Sequence, residues 1–153
     1  MYDSILFVCL GNICRSPMAE AVMRDLLERE GVAGRVAVDS AGTGDWHVGH
    51  PPHEGTRRIL DKQGISCAGQ RARKLRAEDG ERFDLIVAMD RSNERDIAAI
   101  LKPGHRAKVI RLMSLLPERR ADDVPDPYYT GNFEEVFSMV REGCQRILSL
   151  VRE

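Results

Sequence analysis

The sequence predicts an α/β fold: a four-stranded parallel twisted sheet with helices on both faces and an anion-holding loop after the first strand. Three observations predict it. Four short apolar runs, Ile5–Cys9, Val36–Asp39, Leu85–Met89 and Val109–Leu112, read as strands buried on both sides. Amphipathic helical patterns separate them, and that alternation implies right-handed βαβ crossovers. The first run leads straight into a small polar loop and then a helix, and such sheets bind ligands at the carboxyl ends of their strands.

The elements follow in order. After Cys9 comes the loop Leu10-Gly11-Asn12-Ile13-Cys14-Arg15. Ser16 is expected as the N-cap of the next helix and Pro17 as its first helical residue. Ala19, Val22, Met23, Leu26 and Leu27 share one face of that helix, and Gly31 and Gly34 close it. The second strand leads into a Gly- and Pro-rich loop over residues 41–52, which carries the only tryptophan, Trp46. A second helix fits His53–Gln63 and stops at Gly64. A third fits Ser92–Leu101, with Pro103-Gly104 as its stop. The loop over residues 121–132 holds Asp126 and two of the three tyrosines, Tyr128 and Tyr129. The last helix has the strongest period, with Phe133, Val136, Phe137, Val140, Cys144, Ile147, Leu148 and Val151 on one stripe.

Composition narrows the function. A chain of 153 residues suits one domain, spanning residues 1–153. A formal net charge of −1 gives no basic field for nucleic acid. No run approaches the ~18 apolar residues of a membrane span, so no membrane insertion is expected. The run Ile5–Leu10 is too short for a signal peptide and leads into the loop. The four cysteines lack the spacing of a disulfide framework or a zinc site, which points to a reducing cytoplasm. His47, His50 and His53 lie in a stretch without a clear fourth ligand, so no metal is expected. The basic run Arg71–Arg76 reads as a solvated face or as local ion pairing.

The chemistry is concentrated in residues 8–17, Val-Cys-Leu-Gly-Asn-Ile-Cys-Arg-Ser-Pro. A loop at a helix N-terminus turns its free N–H groups and the positive end of the helix dipole toward one point. Arg15 can add a two-pronged contact to an oxyanion held there. The same field favours the thiolate of Cys9, which makes it a nucleophile. A nucleophilic sulfur beneath a tetrahedral oxyanion implies phosphoryl transfer to cysteine. The alkoxide or phenoxide that leaves needs a proton. Asp126 is the best source, because Pro127 restricts its backbone and can fix its direction. Asp122 and Asp123 lie in a more solvated stretch. Trp46, Tyr128 and Tyr129 can wall a deep slot long enough for an aryl phosphate.

Val8 through Glu20 together with Asp126-Pro-Tyr-Tyr129 resemble the low-molecular-weight protein tyrosine phosphatases, and the likeness runs essentially end to end. Val38-Asp39-Ser40-Ala41 with Asp45-Trp46, and Met89-Asp90-Arg91-Ser92-Asn93, match in order and spacing as well. The resemblance implies the four-stranded parallel sheet and a cofactor- and metal-free hydrolysis in two steps through phosphocysteine. It implies Cys9 as nucleophile, Arg15 as phosphate clamp, and Asp126 as acid and then base. Leu10, Gly11, Asn12, Ile13, Cys14 and Ser16 would complete the phosphate loop. Ser16 would stabilise the Cys9 thiolate, Asn12 and Ser40 would brace the loop, and Trp46, Tyr128 and Tyr129 would line the cleft. The implied partners are phosphotyrosine proteins, a cognate tyrosine kinase among them, met by a monomer or weak dimer. One position departs: Gln70 stands where many relatives carry histidine behind the loop. Cys14 could form a disulfide with Cys9 under oxidation, shielding the nucleophile.

Three other functions compete. Protein-arginine phosphatases share the scaffold but carry threonine at the position of Ile13 and lack the paired tyrosines. Thioredoxin-coupled arsenate reductases need two further cysteines close together in mid-chain, and Cys67 has no such partner. A phosphate-binding module would need neither Cys9 nor Asp126.

Overall fold

In a computed structural model, which describes residues 2–152, the apolar runs form one parallel sheet. Its strands are β1 (Ser4–Cys9), β2 (Ala37–Gly42), β3 (Leu85–Ala88) and β4 (Lys108–Arg111), in the order β2-β1-β3-β4. The helices are α1 (Arg15–Arg29), α2 (Glu54–Lys62), α3 (Asp79–Arg82), α4 (Arg91–Ile100), α5 (Pro127–Thr130) and α6 (Phe133–Arg152).

The alternation of side chains along β1 divides the interior in two. Ile5 and Phe7 pack under α1 and α6 with Val22, Val136 and Val140. Leu6 and Val8 face the other way, with Ile86, Ala88 and Ile97 of α4. All four β1 residues are fully buried, which explains why this strand reads as a continuous apolar run. Each such side chain contributes about 1.5–3 kcal/mol relative to exposure. Truncating Phe7 to alanine would cost about 3–5 kcal/mol.

Beyond one-residue shifts, two boundaries and two short helices differ from expectation. The second strand extends through Ser40, Ala41 and Gly42, pairing Phe7 with Ser40 and Cys9 with Gly42. Gly42 passes directly beneath the loop: a Cβ there would lie 2.8 Å from the Leu10 carbonyl oxygen, so only glycine fits. Ser16 is not an N-cap. The helix starts at Arg15 with Cys14 as its N-cap and no side-chain capping bond, because the Ser16 hydroxyl turns toward Cys9 instead. The short α3 and α5 span four residues each and leave no periodic trace in the sequence. Gly31 closes α1 as expected, with φ +73° and its N–H on the Glu28 carbonyl.

Candidate active site

β1 ends at Cys9, and the chain wraps from there to the start of α1. The carbonyls of Cys9, Leu10, Ile13 and Cys14 accept N–H bonds from Thr43, Gly44, His53 and Met18. Tying these carbonyls to the surrounding chain favours a loop whose N–H groups face its centre, as an anion site requires. Asn12 takes a left-handed backbone conformation, φ +57°, a cost of about 1–2 kcal/mol in a residue type that tolerates it. Its side chain offsets that cost with three bonds. Asn12 Oδ1 accepts the Arg73 N–H at 2.9 Å, and Nδ2 donates to Ser16 Oγ at 2.8 Å and to Ser40 Oγ at 2.9 Å. The Ser16 hydroxyl lies 3.0 Å from Cys9 Sγ. The Asn12 and Ser16 side chains therefore sit behind the loop, and its lining comes from Cys9, Leu10, Gly11, Ile13 and Cys14.

Arg15 is 2% exposed. One terminal nitrogen donates to Asp90 Oδ2 at 2.7 Å and to the Val124 carbonyl at 2.9 Å, and the other reaches Asp126 Oδ2 at 3.4 Å. Its Nε is buried without a hydrogen-bond partner among the described residues. Burial works against the charge, but Cys9, Asp90 and Asp126 outweigh it and hold the guanidinium above its ordinary value. Asp90 does two jobs: its Oδ1 caps α4 through the Asn93 N–H at 2.7 Å while Oδ2 holds Arg15. Asp126 similarly caps α5 through the Tyr128 N–H at 3.1 Å. The expectation that Pro127 fixes its direction agrees with Pro127 at the first position of that helix.

Above Cys9 opens a cleft of about 350 Å³. Trp46, His47, Asp126, Tyr128 and Tyr129 line it together with the loop. The deep aromatic slot expected from the sequence is corrected to an open rim, because Trp46 is 67% and Tyr129 74% exposed. Tyr128 meets Tyr129 edge-on, with ring centroids 5.2 Å apart. His47 and His53 flank Tyr128 at 6.1 and 5.9 Å, and His53 stacks on Phe133 at 5.2 Å. Sequence reasoning weighed these histidines only as metal ligands. Their spacing to Trp46 and Tyr128 is not visible without the fold.

Behind the loop, Gln70 donates through Nε2 to the Pro17 carbonyl at 3.0 Å, and its Oε1 is buried without a partner among the described residues. Ser40 donates to Glu20 Oε1 at 2.6 Å. Arg73 pairs with Asp39 at 3.1 Å and with the fully buried Asp79 at 3.0 Å, so part of the basic run is local ion pairing. Burial pushes the Cys14 thiol up to about 12, and the nearby Cys9 and Asp126 add to that. The sequence points to no role for Asp90 or Glu20, and for Arg73 only to a solvated face or local ion pairing. Of the three only Asp90 carries a signal, an aspartate at the start of a helix.

A thiol, a guanidinium and a carboxyl group meeting at the carboxyl edge of a parallel sheet, over a helix N-terminus, define a cysteine-dependent phosphomonoester hydrolase. Comparison with known proteins agrees. The family model described as low molecular weight phosphotyrosine protein phosphatase matches residues 4–153. The low molecular weight protein-tyrosine-phosphatase YfkJ of Bacillus subtilis is 47% identical over 98% of this chain and 96% of its own. Its crystal structure superposes with a TM-score of 0.94 over 99% of this chain and 96% of that one. PtpA of Staphylococcus epidermidis is 44% identical over 96% of this chain and 92% of its own. The structure of a Drosophila arginine phosphatase, DARP, matches at 34% identity and a TM-score of 0.88, over 97% of this chain and 98% of that one. The chain belongs to the low molecular weight protein-tyrosine phosphatases.

Proposed function

We propose that the protein hydrolyses phosphotyrosine in proteins, and small aryl phosphates, through a phosphocysteine on Cys9. The carrying observation is that Cys9 and Asp126 line one cleft while the buried Arg15 reaches Asp126 at 3.4 Å, with the Ser16 hydroxyl 3.0 Å from the sulfur. The substrate phosphate enters the loop, and Arg15 swings from Asp126 to grip two of its oxygens. The Cys9 thiolate attacks phosphorus, the S–P bond forms and the ester P–O bond breaks. Asp126 gives its proton to the departing phenoxide. Water then attacks phosphorus, Asp126 takes the water's proton, and the S–P bond breaks to return thiolate and inorganic phosphate. No cofactor is needed. A thiolate nucleophile suits a reducing compartment such as the cytoplasm, and the proposed phosphoprotein partners of this monomer or weak dimer include a tyrosine kinase.

The test is a rapid acid quench with ³²P-labelled phosphotyrosine peptide. Label should appear on Cys9 and be absent from Cys9→Ser protein. Turnover without a trapped phosphocysteine at any quench time would refute the two-step route.

Phosphoarginine is the second reading, since DARP shares the scaffold. Ile13 speaks for the aryl substrate: it is 8% exposed and packs with Cys14 and Ala72, keeping the loop's edge apolar. Wild type should prefer phosphotyrosine peptide, and Ile13→Thr should raise relative phosphoarginine activity. The opposite preference, unmoved by Ile13→Thr, would favour the second reading.

A further inference from the structure

We propose that Glu20 is a positioning residue for the nucleophile: it accepts the Ser40 hydroxyl's hydrogen bond and thereby sets the hydrogen-bond chain that ends on the Cys9 sulfur. The proposal rests on the reading of Cys9 as nucleophile. Its support is a count of donors and acceptors.

Asn12 Oδ1 accepts the Arg73 N–H, which fixes the orientation of the amide. Both hydrogens of Nδ2 then point outward, one to Ser16 Oγ and one to Ser40 Oγ. Each serine oxygen therefore accepts from Asn12, and each has one hydrogen left to give. Ser16 Oγ lies 3.0 Å from Cys9 Sγ, and to a thiolate, which can only accept, it gives its hydrogen and stabilises the charge. Ser40 gives its hydrogen to Glu20 Oε1 at 2.6 Å. Without that acceptor, the Ser40 hydroxyl would be free to turn its hydrogen toward Asn12, donor against donor, and to loosen the amide that directs Ser16. Glu20 thus guards the far end of a chain whose near end is the reacting atom.

Its surroundings fit the task. Glu20 is 5% exposed. It faces Ser40 and Asp39 on β2, Arg24 one turn along its own helix with a nitrogen 2.7 Å from Oε2, and Gln70 from the segment behind the loop. Burial and Asp39 push its carboxyl up, while Ser40 and Arg24 draw it down. A buried carboxylate kept in place by two partners is a fixed acceptor, and one that protonation on Oε1 would disable.

The test is the pH dependence of Cys9 alkylation by iodoacetamide, with the adduct mapped by mass spectrometry. Through-space electrostatics and the hydrogen-bond chain predict opposite signs. Removing a negative charge alone would make the thiolate easier to form. Breaking the chain should make it harder. Glu20→Ala should therefore raise the pH of half-maximal alkylation by about 0.5–1 unit, the scale of one weakened bond to a charged group. Glu20→Gln, whose amide oxygen can still accept from Ser40, should restore it to within about 0.3 unit. Ser40→Ala cuts the same link, should shift the profile in the same direction, and serves as the reporter if Glu20→Ala does not fold. A fall or no movement in Glu20→Ala and Ser40→Ala, or a Glu20→Gln profile displaced as far as that of Glu20→Ala, would overturn the proposal. Loss of melting temperature with an unmoved profile would show a purely structural role and overturn it too. Turnover by Cys9→Ser protein tests the nucleophile separately, so the two failures can be told apart.

Discussion

The floor of the cleft and its rim are built in opposite ways. On the floor, Cys9, Asn12, Arg15 and Ser16 are each at most 3% exposed; side-chain hydrogen bonds join Cys9, Ser16 and Asn12, and Arg15 bonds to Asp90. At the rim, Trp46, Tyr128 and Tyr129 are more than half exposed, and Tyr128 meets the rings of His47 and Tyr129. A buried polar network must be satisfied at every member or it costs stability, so the floor tolerates little change. A rim held by ring contacts can vary without unfolding anything. On the proposed function, reaction chemistry falls to the first region, and choice of substrate to the second together with Ile13 at the loop's edge.

Four experiments break or sharpen that division. The largest effect belongs to the floor: Cys9→Ser should lower kcat by about 10⁴-fold or more, since no neighbouring base activates a serine there. Its melting temperature should barely change. Near-normal turnover would end the covalent mechanism.

Asp126 belongs to both regions, since it pairs with the buried Arg15 and caps the exposed α5. Asp126→Asn should lower kcat about 10²–10³-fold on phenyl phosphate. The loss should be clearly smaller on p-nitrophenyl phosphate, whose leaving group needs less help. Equal losses on the two esters would make Asp126 structural.

At the rim, Trp46→Ala or Tyr129→Ala should cost about two- to twelvefold in kcat/KM for a phosphotyrosine peptide, matching about 0.5–1.5 kcal/mol per aromatic contact. Inhibition by inorganic phosphate should not respond. If phosphate affinity fell in parallel, rim and floor would not be separable.

The last effect is on stability, not on turnover, and concerns Cys14. Its thiol is held up to about 12 against an ordinary 9.0, so the folded chain keeps a proton that the unfolded chain loses first. That contribution is complete below pH 9 and is lost as pH rises toward 12. The stability difference between wild type and Cys14→Ala should therefore shrink by about 1 kcal/mol per pH unit in that window, as read by urea denaturation. A pH-independent difference would mean that the Cys14 thiol titrates alike in folded and unfolded chains.

The same division decides what the sequence reveals. Cys9, Arg15 and Ser16 are readable because one short stretch holds them all between a strand and a helix. Asp126 is readable only through its proline and the need for an acid. Ser40 lies just past the apolar run Val36–Asp39, among the strand's last residues Ser40, Ala41 and Gly42, which carry no apolar signal. Glu20 looks like an ordinary helical glutamate until α1 packs on β2 and buries it. Arg73 acts on Asn12 through its backbone N–H, a role that no side-chain pattern can encode. The exposure of Trp46 and Tyr129 depends on how two distant loops meet, so their residue types suggest a wall where the fold makes a lip.

Arg15 draws its partners from residues 90, 124 and 126, the last separated from it by 111 positions. A ribosome adding about 5–20 residues per second needs roughly 6–22 s to cover that distance. During that interval the nascent chain already carries its reactive thiol but has not yet been given Asp126. Most of the chain must be translated before the assembled centre can exist. A chain stopped before residue 124 should show no phosphatase activity with phenyl phosphate, however much of the sheet it can form.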